Sequence, residues 1–470
     1  MIDTTVDALV GAPDPSDAAP GAGLTRPAEH AERLVLAAVQ SEITAALGRR
    51  AGTRLVAQDR SWIRELVDEQ LRQYHSRAPL EGLPVLSRVE YRTLGRRVFA
   101  RVTPLGPLGE LLADPEVEEI LVNGPKEVLV VRDGRQMAAG IEFDDEEQLV
   151  DLVQQHLDHG STHFDRASPM VTATLEDGSR MNAVLPPVAA PLAITIRKHH
   201  LARFTTLDDL VAAGGMPWEL MILLRAAVRG RLNIVISGGT GSGKTTLLRV
   251  LINEIPANER VITIEDQREL HVRTREGGRP NCISLEAREA NVEGQGAITI
   301  QQLVRNALRQ RPDRIFVGES RGPEALDVID AMGTGHDGSG TTLHANSVRD
   351  TVHRLNTLIR RHPAQARADP AAIAHEVAAK VDLVIHLRRH RDPTGRDRRL
   401  VDQVALVTGA VECGWPVVEE VCRHDRGRGR WRWRRLRLDD LPAKVGDKLR
   451  TADVDLDALA RHLSDPALAL

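Results

Sequence analysis

The stretch Leu232-Asn233-Ile234-Val235-Ile236-Ser237-Gly238-Gly239-Thr240-Gly241-Ser242-Gly243-Lys244-Thr245-Thr246-Leu247-Leu248 decides how this chain is read. It opens on a short apolar run of the kind that forms a buried strand, and Leu247, Leu248, Leu251 and Ile252 then repeat at helical spacing. Between strand and helix lies a complete G-x-x-x-x-G-K-[ST] loop, Gly238 to Thr245. Glycines let such a loop curl until its backbone N–H groups converge on phosphates, and the start of the helix adds its positive end. Lys244 is placed to reach the terminal phosphates and Thr245 to ligate Mg²⁺. The expected nucleotide-binding residues are therefore Gly238, Gly239, Thr240, Gly241, Ser242, Gly243, Lys244, Thr245 and Thr246. Lysine occurs elsewhere only at positions 126, 198, 380, 444 and 448, which makes a chance match rare.

Composition sets the frame around this loop. A chain of 470 residues exceeds one compact core, which points to roughly two to four domains. Hydrophobic residues make up 42% and aromatics only 3%, so the cores must rest on Leu, Val, Ile and Ala. Lys and Arg total 62 against 66 Asp and Glu, a net charge of −4 that argues against bulk electrostatic binding to nucleic acid or anionic lipid. Cys282, Cys413 and Cys422 are far apart and form no C-x-x-C pair, so neither a disulfide framework nor a zinc cluster is expected. No basic segment followed by an apolar core opens the chain, and no run approaches the ~18 apolar residues of a membrane span. A cytoplasmic protein follows, with any association at a membrane made through partners.

The chain divides by pattern. Residues 1–29 have the composition of a disordered arm, and 30–104 read as a helical module, with Leu36, Val39, Ile43 and Leu47 on one face and Ile63, Leu66, Val67, Leu71 and Tyr74 on another. Residues 105–204 mix short strands and helices as a small α+β domain, including a hairpin from Thr172 to Val184 closed around Glu176-Asp177-Gly178. A linker at 205–217 leads to an α/β domain over 218–408, where strands at 232–236, 261–265, 314–318 and 341–345 alternate with helices. That alternation implies a mainly parallel sheet covered on both faces, with the ligand at the strand ends. Residues 409–470 form an extension with Arg and Trp interleaved from Arg426 to Arg435, readable as a nucleic-acid or lipid grip or as an exposed edge strand.

Triphosphate hydrolysis needs a carboxylate for metal or water and a group that senses the γ-phosphate. Glu265 closes the run Val261-Ile262-Thr263-Ile264, and Glu319 follows Ile315-Phe316-Val317-Gly318. The second resembles a Walker B strand, with Gly-Glu where Asp-Glu is common, which makes Glu319 its acidic and metal-organising group. Further on, Gly333-Thr334-Gly335-His336-Asp337-Gly338-Ser339-Gly340-Thr341-Thr342-Leu343-His344 flanks a glycine-dense strand entry with two histidines, a spacing suited to sensing phosphate.

In order, the phosphate loop, the I-T-I-E-D-x-x-E-L acidic box, the R-P-D-R-I-x-V-G-E-x-R-G-x-E-A segment and the T-G-H-D-G-S-x-T-T-L-H-A-N box resemble the secretion (traffic) ATPases of type II and type IV systems. The likeness is greatest to the tight-adherence pilus assembly ATPases. It also covers G-P-L-G-E-L-L-A-D-P-E-V-E-E-I-L-V-N-G-P at 106–125 and two segments within 179–199, spans about 105–390, and fades in both tails. The cysteine-bearing metal module of type II secretion ATPases is absent.

The resemblance implies a RecA-like C-terminal domain joined by a linker to an N-terminal domain, a homo-hexameric ring, and ATP with Mg²⁺ between the domains. It implies that Lys244 and Thr245 hold phosphates and Mg²⁺, that Glu265 and Glu319 organise metal and water, and that His336 and His344 sense the γ-phosphate. Arg180 and Arg197 match basic positions that reach the phosphates from the N-terminal domain. The implied work is pilus assembly or protein secretion through a polytopic inner-membrane platform. A nucleic-acid translocating RecA-like motor, or a conjugation-type transfer ATPase, is the alternative.

Overall fold

A computed structural model of the chain describes residues 26–49, 59–103, 105–132, 134–157, 163–175, 177–198, 204–272, 281–288, 290, 294–391, 397–434, 440–452 and 454–455. The expected disordered arm and the end of the C-terminal extension fall largely outside these residues. Two units are distinct, Met1–Lys198 and His199–Leu470.

In the first unit the helical periodicities become α1 (Arg26–Arg49), α2 (Arg60–Glu81) and α3 (Arg88–Val102). Val39, Ile43, Ile63, Val67, Leu71 and Leu94 meet in their shared core, as the spacing requires. A capping box, with Ser87 and Glu90 each satisfying the other's backbone N–H, starts α3. There follow α4 (Leu108–Ala113), β1 (Val117–Asn123), β2 (Val128–Arg132), β3 (Arg135–Ala138), α5 (Glu146–Gln154), β4 (Met170–Thr174), β5 (Arg180–Val184) and β6 (Ala193–Arg197). The strands form an antiparallel sheet in the order β3-β2-β1-β6-β5-β4. The expected hairpin is β4–β5, and Asp177 stabilises its turn by accepting from the Ser179 N–H and hydroxyl.

The second unit begins with α6 (Leu207–Ala212), α7 (Trp218–Arg229), β7 (Ile234–Gly238), α8 (Lys244–Asn253), β8 (Val261–Glu265) and β9 (Cys282–Glu286). It continues through α9 (Ile300–Ala307), β10 (Arg314–Val317), α10 (Glu324–Gly333), β11 (Gly340–Leu343), α11 (Val348–Ile359) and α12 (Pro370–Lys380). Last come β12 (Leu383–Arg391), β13 (Asp397–Glu412), β14 (Trp415–Asp425), β15 (Arg430–Trp433) and α13 (Ala443–Thr451). Nine strands form one sheet, ordered β15-β14-β13-β12-β7-β11-β10-β8-β9. From β9 to β12 every neighbour is parallel, and from β12 to β15 every neighbour is antiparallel.

Every residue of β7, β8, β10 and β11 is buried, which is why these strands read as unbroken apolar runs rather than alternating ones. Alternation survives in where the side chains go. Ile234 and Ile236 join the core shared with α7 and α8, while Val235 joins the core of α10, α11 and α12 on the other face. Because β8, β10, β11 and β7 are parallel, their C-terminal ends lie together, and so do the residues that follow them.

The strands after residue 408 extend this same sheet. The interleaved Arg and Trp residues form edge strand β15, where Trp433 is buried and Trp431 Nε1 donates to Val401 O at 2.8 Å. Arg432 pairs with Asp425, and Arg434 with Glu419 at 3.1 Å. Among the described residues no helix is long and apolar enough to cross a membrane.

Candidate active site

The phosphate loop joins β7 to α8 through Gly243, whose φ of +96° is a left-handed value that favours glycine just before the helix. Lys244, the first residue of α8, is 8% exposed. Its ammonium donates to Gly238 O and Gly239 O, both at 3.0 Å, and to Nδ1 of His344 at 3.4 Å. Burial lowers the Lys244 pKa, and the nearby Glu319 opposes that shift. Among the described residues this ammonium makes contact with dipoles and no carboxylate, the electrostatic condition of an anion receptor.

His344 follows β11 and links the lysine to the acid. Its Nδ1 accepts from Lys244, which leaves the ring proton on Nε2, 2.9 Å from Oε1 of Glu319 but out of line for a full hydrogen bond. Oε2 of Glu319 accepts from Arg321 Nη2 at 2.6 Å. The loop, His344 and Glu319 are thus contiguous within one chain.

At the end of β10, where Gly-Glu stands in place of Asp-Glu, Gly318 packs closely on Glu265. A Cβ at Gly318 would stand 3.0 Å from Cγ of Glu265, so a larger side chain there would press on Glu265. Glu265 itself is 3% exposed, and its Oε1 accepts the N–H groups of Glu269 and Leu270, both at 3.0 Å. Burial pushes its pKa up to about 7 against those hydrogen bonds, and its Oε2 is buried without a partner. By closing the turn after β8, Glu265 presents Glu269, whose Oε2 lies 3.4 Å from the Thr245 hydroxyl. Sequence reasoning did not single out Glu269 as a site residue. The signal was its place four residues after Glu265 in the acidic box.

The two histidines part company. His336 precedes β11, at the sheet end where Ile234 N donates to Ser339 O and Asn233 Nδ2 donates to Asp337 Oδ1 at 3.2 Å. The length of β11 separates it from His344, ~13 Å for a strand of four residues. The structure therefore brings His344 to the loop and leaves His336 at the opposite end of the strand. In the first unit, register sets Arg180 directly across from Arg197, and Arg197 Nε donates to Glu119 Oε1 at 2.9 Å.

The donors near the loop suit a hard cation: the Thr245 hydroxyl with the carboxylates of Glu269 and Glu319. Among the described residues no group of three or more His, Cys, Asp or Glu side chains is poised around one point, so a metal here would draw further ligands from a nucleotide.

Residues 102–440 match the family described as Type II/IV secretion system protein. The chain is 37% identical over 320 residues to "Putative conjugal transfer protein MT3759" of Mycobacterium tuberculosis (strain CDC 1551 / Oshkosh), covering 66% of this chain and 87% of that one. It is 34% identical over 319 residues to "Type IV secretion system protein VirB11" of Brucella suis biovar 1 (strain 1330), covering 62% of this chain and 87% of that one. Among solved structures, the VirB11 ATPase of the Brucella suis type IV secretion system in complex with sulphate aligns at 30% identity over 67% of this chain and 96% of that one, with a TM-score of 0.34. With more than half of its length matched, including the phosphate loop, the acidic strand ends and the histidine segment, the chain belongs to the type II/IV secretion system protein family and is a nucleotide-binding ATPase of that family.

Proposed function

We propose that the chain is the cytoplasmic motor of a pilus-assembly or protein-secretion machine, a homo-hexamer that hydrolyses ATP with Mg²⁺ and works on a polytopic platform at the inner membrane. The carrying observation is the Lys244–His344–Glu319 contact chain, which ties the group that meets the terminal phosphates to a sensor and an acid. Lys244 would exchange its two carbonyl partners for phosphate oxygens, and that exchange releases His344 to respond to the γ-phosphate. Glu319, freed from His344, would accept a hydrogen bond from the attacking water and orient it. Mg²⁺, held by Thr245, Glu269 and Glu319, would offset charge on the β- and γ-oxygens. Glu265 acts one step back, by fixing the turn that carries Glu269.

In this reading Arg180 and Arg197 supply charge to the γ-phosphate from the first unit. Arg180→Ala and Arg197→Ala should each cut turnover by ~10³-fold or more with ring assembly and melting little changed. Steady-state ATPase assays beside mass photometry read both. Near-normal rates in the single and double variants would confine catalysis to the second unit.

The name of the mycobacterial relative favours a second reading, a conjugation-type transfer ATPase. Stimulation of turnover by oligonucleotides, falling steeply with salt, would support it over the first.

A further inference from the structure

We propose that Arg389 supplies a second cation to the triphosphate, from the same chain and from the strand beside the phosphate loop. This rests on the reading that the loop binds a nucleoside triphosphate, and it adds a group that no motif marks. Strand β12 pairs in parallel with β7, so its C-terminal end runs alongside the loop. There a cleft of about 520 Å³ is lined on one side by Gly239, Thr240 and Ser242 and on the other by His386, Arg388 and Arg389.

These three basic residues have different duties. His386 is 4% exposed, with Nδ1 3.1 Å from the Ser237 hydroxyl, and Arg388 pairs with the buried carboxylate of Asp402. Both make these contacts beneath the loop. Arg389 is exposed and turned to the loop itself: a Cβ added at Gly241 would meet its Nη1 at 3.2 Å. Gly241 lies within the glycine-rich curl whose N–H groups cradle phosphates, so the guanidinium stands over the bed of the ligand.

A second observation points the same way. Arg389 is in direct register with Arg399 on β13, and the stem of Arg399 reaches the loop too, its Cδ 4.0 Å from where a Cβ at Gly243 would sit. An anion resting on the loop would lie beside both side chains. A planar guanidinium suits this role because it can offer paired N–H donors to phosphate oxygens.

The test uses the full-length protein and two ligands, ATP and inorganic tripolyphosphate, with binding followed by calorimetry. Arg389→Ala should weaken both ligands by similar factors, on the order of 10- to 100-fold, because a charge-assisted hydrogen bond to phosphate is lost in each case. Arg389→Gln, which keeps much of the stem on the sheet, should lose as much, and Arg389→Lys should recover part. Arg423→Ala, which removes an exposed charge paired with Glu420 on β14, should bind like the parent. Unchanged affinity of the Arg389 variants for both ligands overturns the proposal. So does a loss confined to ATP, since the side chain would then hold the nucleoside and not the phosphates. Failure of the parent protein to bind either ligand would overturn the nucleotide-site reading, and this inference with it.

Discussion

Where β10 begins, Arg314 is buried with its guanidinium in a two-point pair with Glu259, at 2.8 and 2.7 Å, and a third bond of 2.7 Å to Val228 O. At that same end of the sheet, Lys448 sits 2.6 Å from both Asp337 and Asp382, and Lys444 sits 3.4 Å from Asp382. Where β10 stops, Lys244 leans on carbonyls and an imidazole. One end of the sheet matches charge with charge inside the protein, which serves stability. The other sets its buried ammonium, Lys244, against carbonyls and an imidazole, with no carboxylate in contact among the described residues, which suits a charged ligand. The two ends also separate the histidines: His336 lies at the end of Arg314 and Lys448, and His344 at the end of Lys244.

The largest effect that can break this comparison is at Lys244. Lys244→Ala should lower ATP turnover by roughly 10³-fold or more, since it removes the cation that the loop itself carries to the phosphates, while the denaturant midpoint stays near that of the parent. Glu319→Gln should share the lost turnover but keep ATP binding. A Lys244 variant that hydrolyses ATP normally would remove the functional half of the contrast.

The matched end makes the opposite prediction. Arg314→Ala leaves the Glu259 carboxylate to Arg231 alone, 3.3 Å away, and should cost about 3 kcal/mol of stability in urea unfolding. ATP affinity of the folded fraction should be unchanged. A stable Arg314 variant with impaired nucleotide binding would show that the two ends are not divided in this way.

A smaller effect sharpens the comparison through pH. Glu265 holds its proton up to about pH 7 in the folded state, against an ordinary value of 4.5, so between these values the folded protein binds more protons than the unfolded chain. Its contribution to stability is complete below pH 4.5 and is lost as the pH rises through 7, by at most about 3 kcal/mol. Glu265→Gln should abolish that segment of the stability curve between pH 4.5 and 8. An unaltered curve would mean that Glu265 is ionised in the fold.

The expected α/β architecture was legible because buried parallel strands and the helices between them write their periodicity locally. Val261–Glu265 is the expected strand residue for residue, and Trp218–Arg229 the expected helix. The motif positions were legible for a related reason: a loop that bends around phosphates needs glycines and a lysine at fixed spacing, whatever lies elsewhere in the chain. Glu269 was harder to see. Its place at Thr245 depends on how the chain turns after β8, and that turn is held by backbone donors to Glu265.

By itself, the sequence determined that this chain has a phosphate loop on a strand-to-helix turn, acidic strand ends and a family likeness, because each is a local pattern of residue types. Tertiary structure alone decided which of those residues meet. The order β12-β7-β11-β10-β8 sets Lys244 beside His344 and Glu319, sends His336 to the far end of β11, and lays Arg389 over the loop from a strand some 150 residues later. Strand order comes from pairing between segments distant in sequence, and the packing that selects one order over another acts only once both faces of the sheet are covered.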